Sequence, residues 1–431
     1  MSPELIGLLG VVLLLVLFVF RMWVGAALII TATIGMIIIM GWDRTLSVLG
    51  TAPYVFISKE SFTVMPMFIL MGNIIAESGI AADLYNAAHK WIGQLRGGLA
   101  MATTVAGAMF AAIVGTASAG VLVFGKVAYP EMKKFRYDDA LSTGSIVASS
   151  TMGILIPPSV GFIIYGVLTE QSVGKLFMAG VIPGLLQMVI YIIVIYILCR
   201  INPAKGPAGP KTTLKEKVIS IKNVWMMAVL FILVMGTIYT GVCTPTEAGA
   251  IGAFGAIVIT LATRRLTLKK FGTAMLDSGL LTGMLLFVLM CASTFNKFMA
   301  VSELPFWLGN TINGLNMSPV VVMIMIMLMY VIGGTALPGM LLIILTVPII
   351  YPVAITMGFD PIWFGVMMVI MVELGDISPP EGMVVFLMSG LSGVKVTTVF
   401  RGLFPFLAGD LVRIVLIFAL PQLALWLPSM M

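Results

Sequence analysis

Residues 129–183 form a 55-residue segment that recurs without gaps 222 residues later, as residues 351–405. All four prolines of the first copy fall on prolines of the second, including the pair Pro157-Pro158 on Pro379-Pro380. Nine of the 55 positions are identical, so the side chains have diverged whereas the residues that shape the backbone are retained. In a strongly apolar chain, matching helix breaks in two halves indicate a transporter with its binding site at the breaks.

The composition indicates a membrane protein. Hydrophobic residues make up 60% of the chain and charged residues only 10%, whereas ordinary soluble proteins contain about 25% charged residues. The apolar runs approach 20 residues, which matches the thickness of a bilayer. They lack the polar alternation that is typical of outer-membrane barrel strands. The predicted fold class is therefore an all-α polytopic membrane protein.

Apolar runs of the length of a membrane span occur eight times. They cover residues 5–20, 23–40, 62–78, 176–199, 224–240, 247–263, 274–296 and about 404–425. Two further spans, at about 140–168 and about 362–390, are each interrupted by a proline pair and are predicted to be broken helices.

Two segments have a different pattern. Residues 99–125 and 319–349 are each split by a Gly-Thr turn, at Gly115-Thr116 and at Gly334-Thr335. Each half has room for about 12–15 helical residues, too few to cross a bilayer comfortably. Half-length helices that meet at membrane depth form a re-entrant hairpin, which needs a tip buried in protein or lining a cavity. The sequence therefore predicts two re-entrant helical hairpins.

The loop charges predict how the two halves are oriented. Lys and Arg cluster beside the first hairpin, in residues 200–222, in residues 264–270 and at residues 395–401. The positive-inside rule places these clusters in the cytoplasm. Three predicted spans separate Arg200 from the second hairpin, and this odd number inverts the second copy. We expect an inverted-topology repeat, with both termini outside. Its parts are a first repeat at 1–200, a cytoplasmic linker at 201–223 and a second repeat at 224–431.

The first candidate site combines hydroxyl groups with a broken helix. A proline has no backbone N–H, so the carbonyls of residues 153–155 lose their helical partners. Hydroxyl and freed carbonyl oxygens suit a hard cation such as Na⁺. The residues concerned are Ser149, Ser150, Thr151 and Gly153 before Pro157 and Pro158, with Gly115, Thr116 and Ser118 of the hairpin tip as partners.

The second candidate site is the counterpart of the first. It pairs Gly334 and Thr335 with residues 375–382, where acidic residues partly replace the hydroxyl groups. Acidic residues at membrane depth usually face a cavity or a partner. Glu373, Asp376 and Glu381 are therefore candidates to hold a cation, to carry a proton or to meet an amine-bearing solute. Farther along the chain, the three-residue spacing of Asp410 and Arg413 predicts a pair on one helical face.

Other functional classes have weaker support. Residues 120–126 match the start of a phosphate-binding P-loop, but Val127 replaces the required Ser or Thr. Transport must then be driven by an ion gradient or the membrane potential. No HExxH motif occurs and His89 is the single histidine, so a membrane-embedded enzyme is disfavoured. An ion channel stays open as an alternative.

Several motifs resemble the large membrane (permease) subunit of tripartite ATP-independent periplasmic (TRAP) transporters. They lie in the order typical of that family, between about residues 60 and 410. They are residues 95–100, 149–159, 173–184, 244–248 and 358–361, and Ser378-Pro379-Pro380 followed by Gly382.

The resemblance implies a secondary transporter with elevator-type architecture, not an enzyme, in the bacterial inner membrane. Such subunits work with a small four-helix membrane subunit and a periplasmic binding protein, and they import mostly carboxylate-bearing solutes with Na⁺. No organic cofactor and no nucleic acid is implied. The alternative is a stand-alone ion-coupled carboxylate carrier of the same architecture.

The resemblance also implies roles for individual residues. The run 149–153 with Thr116 and Ser118 is expected to form one Na⁺ site. A second Na⁺ site is expected at Gly334, Thr335, Gly375 and Ser378. The solute is expected between the two proline pairs, with Pro157, Pro158, Ser159, Pro379, Pro380, Glu381 and Gly382 as its candidate contacts.

Overall fold

The protein is helical throughout the part of the chain that the computed structural model describes. The described residues are 1–222, 224–314, 317–335, 337–380 and 382–431, and of Asn313 the backbone alone. These residues contain α-helices, three short 3₁₀ segments and no β-strand. The predicted all-α fold is confirmed for them. The 3₁₀ segments are Glu60–Thr63, Pro203–Lys205 and Pro428–Met430.

Helices α1 to α11 come from the first half of the chain and the linker. They are α1 (Pro3–Val19), α2 (Val24–Met40), α3 (Trp42–Ile57), α4 (Val64–Ser78), α5 (Ile80–Ile92), α6 (Gly98–Val114), α7 (Ala117–Lys134), α8 (Asp139–Leu155), α9 (Val160–Thr169), α10 (Val173–Ile201) and α11 (Leu214–Ile221).

Helices α12 to α21 come from the second half. They are α12 (Trp225–Tyr239), α13 (Pro245–Ala262), α14 (Leu268–Val301), α15 (Leu304–Gly314), α16 (Pro319–Gly334), α17 (Gly339–Thr356), α18 (Pro361–Ile377), α19 (Met383–Ser392), α20 (Val396–Ala419) and α21 (Gln422–Leu425).

Many of these helices could cross a membrane. By length and composition, seven helical segments of the described chain qualify. They are Glu60–Ser78, Asp139–Thr169, Val173–Ile201, Pro245–Ala262, Leu268–Val301, Gly339–Thr356 and Val396–Ala419. Helices α1 and α2 are apolar as well and contain 17 residues each, about 25 Å at 1.5 Å per residue.

The helix boundaries repeat in the same way as the sequence. Helices α7 and α17 contain 18 residues each, and helices α8 and α18 contain 17 each. In both pairs the second helix begins and ends 222 residues after the first. Both broken helices occur at the predicted places, since α8 is separated from α9, and α18 from α19, by a few residues that include the proline pair.

Local chemistry explains why α8 and α18 begin where they do. The side chain of Asp138 accepts a hydrogen bond from the backbone N–H of Leu141 at 3.0 Å. In the second copy, Asp360 accepts from the N–H groups of Ile362 and Trp363, at 2.8 and 2.9 Å. An aspartate at this position satisfies N–H groups that a helix start leaves without partners. The repeat has thus kept the residues that start its central helices.

The helices pack in two groups. Helices α1 to α4 pack with α12 to α14, and we call these the scaffold group. Helices α6 to α10 pack with α16 to α20, and we call these the hairpin group. Helices α8 and α18 are the core of the hairpin group, because residues 141–155 and 362–375 are buried without exception. The short helix after each break packs on the hairpin of the other half, since α9 packs on α17 and α19 packs on α7.

Both predicted hairpins are present, but their arms are longer than expected. Arms α6, α7, α16 and α17 contain 17, 18, 16 and 18 residues instead of 12–15. The second arms continue beyond the predicted ends, and both helices run on through internal prolines, Pro130 in α7 and Pro348 and Pro352 in α17. The prediction of half-length arms was therefore wrong.

The structure shows that each pair of arms lies side by side. The rings of Phe110 in α6 and Phe124 in α7 are 5.5 Å apart. In the second hairpin, the hydroxyl group of Thr346 in α17 donates a hydrogen bond to the hydroxyl oxygen of Tyr330 in α16 at 2.8 Å. Each contact joins a residue before the tip to one after it, so both pairs fold back as helical hairpins.

Several shorter helices were not predicted, and two spans were misplaced. Helices α3, α5 and α15 do not coincide with any long apolar run in the sequence. Helix α5 buries one face and exposes residues on the other, a pattern that a search for continuous apolar segments does not detect. Helix α14 begins at Leu268 instead of 274 and ends at Val301 instead of 296, whereas α20 is Val396–Ala419 instead of 404–425.

The many Gly and Pro residues of the linker suggested a free loop, but the structure shows a linker that is held in place. It contains helix α11, which begins with a capping box between Thr213 and Glu216 and packs on α5. The backbone N–H of Gly209 donates to the carbonyl of Gly93 at 2.9 Å, and the N–H of Asp138 donates to the carbonyl of Lys205 at 3.0 Å. These contacts fix the linker to the first half of the chain.

Candidate functional site

The first helix break is closed by a buried serine. Helix α8 ends at Leu155 and α9 begins at Val160. The hydroxyl group of Ser159 donates to the carbonyl oxygen of Ile154 and accepts from the N–H of Phe162 at 3.4 Å. Ser159 is fully buried, and Pro157 and Pro158 are buried too. Through these two hydrogen bonds the side chain of Ser159 links the last turn of α8 to the first turn of α9.

The tip of the first hairpin lies against this break. Gly115 has a φ angle of +69°, and a Cβ atom at this position would lie 2.7 Å from the carbonyl oxygen of Pro158. A Cβ atom at Gly153 would lie 3.1 Å from the backbone of Thr116. Glycine is therefore required on both sides of the contact. The structure brings together Gly115, Thr116 and Gly153, which the sequence assigned to one site.

The second hairpin repeats the arrangement. A Cβ atom at Gly334 would lie 2.7 Å from the Cα atom of Gly375, so the backbones of the tip and of helix α18 are in contact. One residue later, an Oδ1 atom of Asp376 accepts a hydrogen bond from the backbone N–H of Gly339 at 3.0 Å. Asp376 thereby binds the first N–H group of helix α17. Each hairpin tip thus contacts the broken helix of its own half.

The hydroxyl groups that α8 contributes to the first site all donate to their own helix. Ser149, Ser150 and Thr151 are buried in α8, and their hydroxyl groups donate to the carbonyl oxygens of Ser145, Ile146 and Ala148 at 2.6, 2.7 and 2.8 Å. A hydroxyl group that donates its proton still has oxygen lone pairs that can accept or can bind a cation. A Cβ atom at Gly120 would lie 2.8 Å from that of Ser150, so Ser150 faces α7.

The hydroxyl groups of the second site behave in the same way but are less buried. Thr335 donates to the carbonyl oxygen of Ile332, and Ser378 donates to that of Leu374, both at 2.7 Å. Pro379 and Pro380 are exposed, unlike their buried counterparts in the first half. Gly382 is buried and begins α19, with a φ angle of +49°. Glu381, a predicted solute contact, lies outside the described residues.

A cavity of about 390 Å³ joins the two sites. Its wall includes Thr116 of the first hairpin tip, the start of α17 after the second tip and residues on either side of both helix breaks, and α2 and α14 of the scaffold group close it. This volume is within the range of small-molecule sites. The polar lining residues among those described are Thr116, Ser118 and Asp376, while the scaffold contributes Trp23, Val24, Leu281, Met284, Leu285 and Val288.

The predicted site residues therefore differ in their access to the cavity. Thr116, Ser118 and Asp376 line it directly. The four predicted prolines do not line it, and the residues beside them do, such as Ile154 and Met383. The scaffold residues were not predicted at all. Trp23, whose ring stacks on that of Phe287 at 4.8 Å, follows no motif that would have indicated a role.

Glu373 belongs to a separate buried ionic cluster. Its carboxylate accepts from an Nη2 of Arg413 at 3.0 Å and from the side-chain amide of Gln187. The same guanidinium lies 3.0 Å from Asp410, which confirms the predicted pair, and Tyr191 donates to Asp410 at 2.8 Å. The side chains of Glu373, Arg413 and Asp410 have 0%, 0% and 1% of their surface exposed. The cluster ties α18 to α10 and α20, and it does not line the cavity.

A transition-metal site has no support in the described residues, where no three His, Cys, Asp or Glu side chains are grouped to hold a metal ion. Hydroxyl and carbonyl oxygens are the groups that the two hairpin sites offer instead. Oxygen ligands of this kind are typical of hard cations and not of transition metals.

The comparisons with known proteins agree on one family. The family model described as "Tripartite ATP-independent periplasmic transporter, DctM component" matches residues 11–423. A C4-dicarboxylate TRAP transporter large permease protein of Pseudomonas aeruginosa is 34% identical over 386 residues, which cover 89% of this chain and 90% of that one. A sialic acid TRAP transporter large permease protein of Vibrio cholerae is 30% identical, covering 86% of this chain and 87% of the other.

Two further comparisons extend this result. An ectoine/5-hydroxyectoine TRAP transporter large permease protein of Ruegeria pomeroyi is 32% identical and covers 86% of each chain. Among solved structures, the YdaH transporter of Alcanivorax borkumensis superposes with a TM-score of 0.67 at 14% identity, over 88% of this chain and 90% of that one. At this identity the likeness shows the fold alone.

Proposed function

This chain belongs to the DctM family of tripartite ATP-independent periplasmic (TRAP) transporters, and on that premise we propose that it is the large permease subunit of a Na⁺-coupled importer. It works in the inner membrane of a bacterium, where a periplasmic binding protein delivers a small organic solute. A small four-helix membrane subunit completes the complex. The relatives are named for solutes as different as C4-dicarboxylates, sialic acid and ectoine, so the family alone does not identify the solute.

The observation that supports this function is the contact between each hairpin tip and the broken helix of its own half. Backbone approaches at Gly153 and at Gly375 bring the tip residues Thr116 and Gly334 against helix ends where a proline pair removes backbone N–H donors. Irregular backbone at membrane depth is tolerated where it is buried in protein or lines a cavity. We assign one Na⁺ to each of these two places, with the solute in the cavity between them.

The two helix groups suggest how the solute moves. The cavity lies where they meet, because α2 and α14 provide one wall and the hairpin group provides the rest. In an elevator mechanism the hairpin group slides against the scaffold group and carries the solute with it. The two hairpins are copies of one unit in opposite orientations, so that each opens to its own side of the membrane. Na⁺ binding at the tips then favours closed hairpins.

Na⁺ binding can be tested without knowledge of the solute. A ligand that binds only the folded protein raises its stability with concentration. We expect NaCl to raise the melting temperature of the purified protein more than KCl does at equal ionic strength. Ser150→Ala and Thr335→Ala each remove one hydroxyl ligand, and both should raise the Na⁺ concentration at half-maximal effect at least about fivefold.

Thr260→Ala is the matched control, because Thr260 is a buried threonine whose hydroxyl group also donates to its own helix, at 2.6 Å. It should leave the Na⁺ response unchanged. Equal stabilisation by NaCl and KCl would contradict Na⁺ coupling, and unchanged responses in both site variants would contradict the assigned sites. Uptake into proteoliposomes with and without the binding protein then distinguishes the importer from a stand-alone carrier.

A further inference from the structure

The cavity between the hairpins contains an acid with no base opposite it. Asp376 is in the last turn of α18 and lines the cavity together with Thr116 and Ser118. Among the described lining residues it is the one ionisable side chain, and none of the others is Lys, Arg or His. The described chain gives Asp376 no ion pair either, whereas the neighbouring acid Glu373 is paired with Arg413.

The carboxylate of Asp376 is held in place but not saturated. One oxygen accepts from the N–H of Gly339 at 3.0 Å. An ionised carboxylate can accept about four hydrogen bonds, so capacity remains for a donor in the cavity. A carboxylate in a largely apolar wall at membrane depth is costly unless something positive meets it. A solute that is only an anion would add a like charge at this place.

The lining of the same cavity that comes from the first hairpin offers hydrogen-bond donors instead. Helix α7 begins there with Ala117, and the side chain of its first flanking residue, Thr116, makes no capping hydrogen bond. The N–H groups of the first turn and the hydroxyl groups of Thr116 and Ser118 therefore face a negative group favourably. The described lining thus combines hydrogen-bond donors from the first hairpin, the carboxylate of Asp376 and a largely apolar remainder.

We propose that the solute is a zwitterion, with a cationic nitrogen that Asp376 binds and a carboxylate that lies toward the first turn of α7. This inference rests on the proposed function, because it takes the cavity as the solute site. Among the described lining residues Trp23 is aromatic, and an indole ring favours a cationic nitrogen over an anionic group. A dicarboxylate would instead bring a second carboxylate toward Asp376, where the described lining offers no Lys, Arg or His side chain to balance the charge.

The test compares ligands that differ in charge. Succinate and 4-aminobutyrate have the same four-carbon chain, but one carries two carboxylates and the other one carboxylate and one ammonium group. Ectoine adds a cyclic zwitterion. Each is added in saturating NaCl to the purified protein, and its half-maximal concentration for thermal stabilisation is measured. We expect at least one zwitterion to act at a concentration at least tenfold below that of succinate.

Variants separate a binding role from a structural one. Asp376→Asn keeps a side-chain oxygen that accepts from Gly339 but loses the charge, and it should reduce the preference for zwitterion over succinate at least tenfold. Asp376→Glu should keep part of the preference. The control Asp277→Asn makes the same chemical change at an exposed position of α14 and should change nothing. If Asp376 only caps α17, Asp376→Asn keeps the cap and leaves the ligand preference intact.

The outcomes distinguish this inference from the proposed function. Stabilisation by succinate at concentrations equal to or below those of both zwitterions overturns the inference, and so does an unchanged preference in Asp376→Asn. Binding of none of the three probes, with the Na⁺ response intact, also counts against it. Loss of the Na⁺ response in the unaltered protein instead contradicts the proposed Na⁺ coupling.

Discussion

Replacement of Arg413 by methionine should destabilise the protein more than any other single change in the buried ionic cluster. The guanidinium of Arg413 is the one cationic group of this cluster and lies 3.0 Å from both Glu373 and Asp410. At this distance and an effective dielectric constant of 20, each pair is worth about 5 kcal/mol of attraction. Desolvation offsets most of this gain, but removal of one partner leaves the others uncompensated.

The expected cost follows from the count of charges. Arg413→Met leaves two carboxyl groups buried without a cation, and we expect a loss of about 3–5 kcal/mol in the free energy of unfolding. Glu373→Gln leaves the pair of Arg413 with Asp410 intact and should cost less than about 2 kcal/mol. The exposed pair of Lys59 and Glu170, with 41% and 76% of these side chains accessible, provides the control. Lys59→Met should cost less than about 1 kcal/mol.

Equilibrium unfolding of the purified protein in mixed micelles, with denaturing detergent as the variable, measures these differences. The reasoning predicts a fixed order of stability, with Lys59→Met nearest to the unaltered protein, Glu373→Gln next and Arg413→Met last. The double variant of Glu373→Gln with Arg413→Met should be more stable than Arg413→Met alone, because one fewer acid is then left unpaired. Arg413→Met as stable as Lys59→Met would refute the argument.

Two further perturbations test the packing of the hairpin and a surface pair. Gly375→Ala places a Cβ atom 2.6 Å from the Cα atom of Gly334, so it should lower the free energy of unfolding by about 1–3 kcal/mol and reduce uptake. The control Gly390→Ala, with no atom within 4 Å of its Cβ position, should do neither. Equal melting temperatures for both variants would contradict the tight contact. The hydrogen bond from Lys59 lowers the pKa of Glu170 below its usual value of 4.5, so the small stabilisation by this pair should be present at pH 7 and lost as the pH falls below 4.5. Melting temperatures of the unaltered protein and Glu170→Gln should therefore converge in acid, and a difference that grows in acid would have the wrong sign.

Much of the fold could be predicted because its landmarks act locally. Prolines, glycines and capping aspartates determine where helices end through their own backbone chemistry. The recurrence of these residues predicted the positions of the helix breaks in both halves. Helices α8 and α18 likewise start at the residues after Asp138 and Asp360. Helix α5 could not be found in this way, because it buries one face against protein and forms no continuous apolar run.

The candidate site could be predicted in part for the same reason. The approach of Gly115 and Thr116 to the first break could be predicted from sequence. A re-entrant hairpin tip must be buried in protein or line a cavity, and the broken helix of the same repeat provides such a place. The partners of Glu373 could not be predicted, because Gln187 and Arg413 reach it only through the packing of α10 and α20 on α18. The scaffold wall of the cavity depends on packing in the same way, as α2 and α14 lie outside both copies of the repeated segment, residues 129–183 and 351–405.

The orientation of the two halves is the central claim, and cysteine labelling tests it most directly. Lys134 and Thr356 are exposed, equivalent residues at the last positions of α7 and α17. Each is replaced by cysteine after Cys199, Cys243 and Cys291 have been changed to serine. A membrane-impermeant maleimide is then added to intact spheroplasts and to inverted vesicles. Our account predicts that Lys134→Cys reacts only from the cytoplasmic side and Thr356→Cys only from the periplasmic side. Reaction of both from the same side would contradict it.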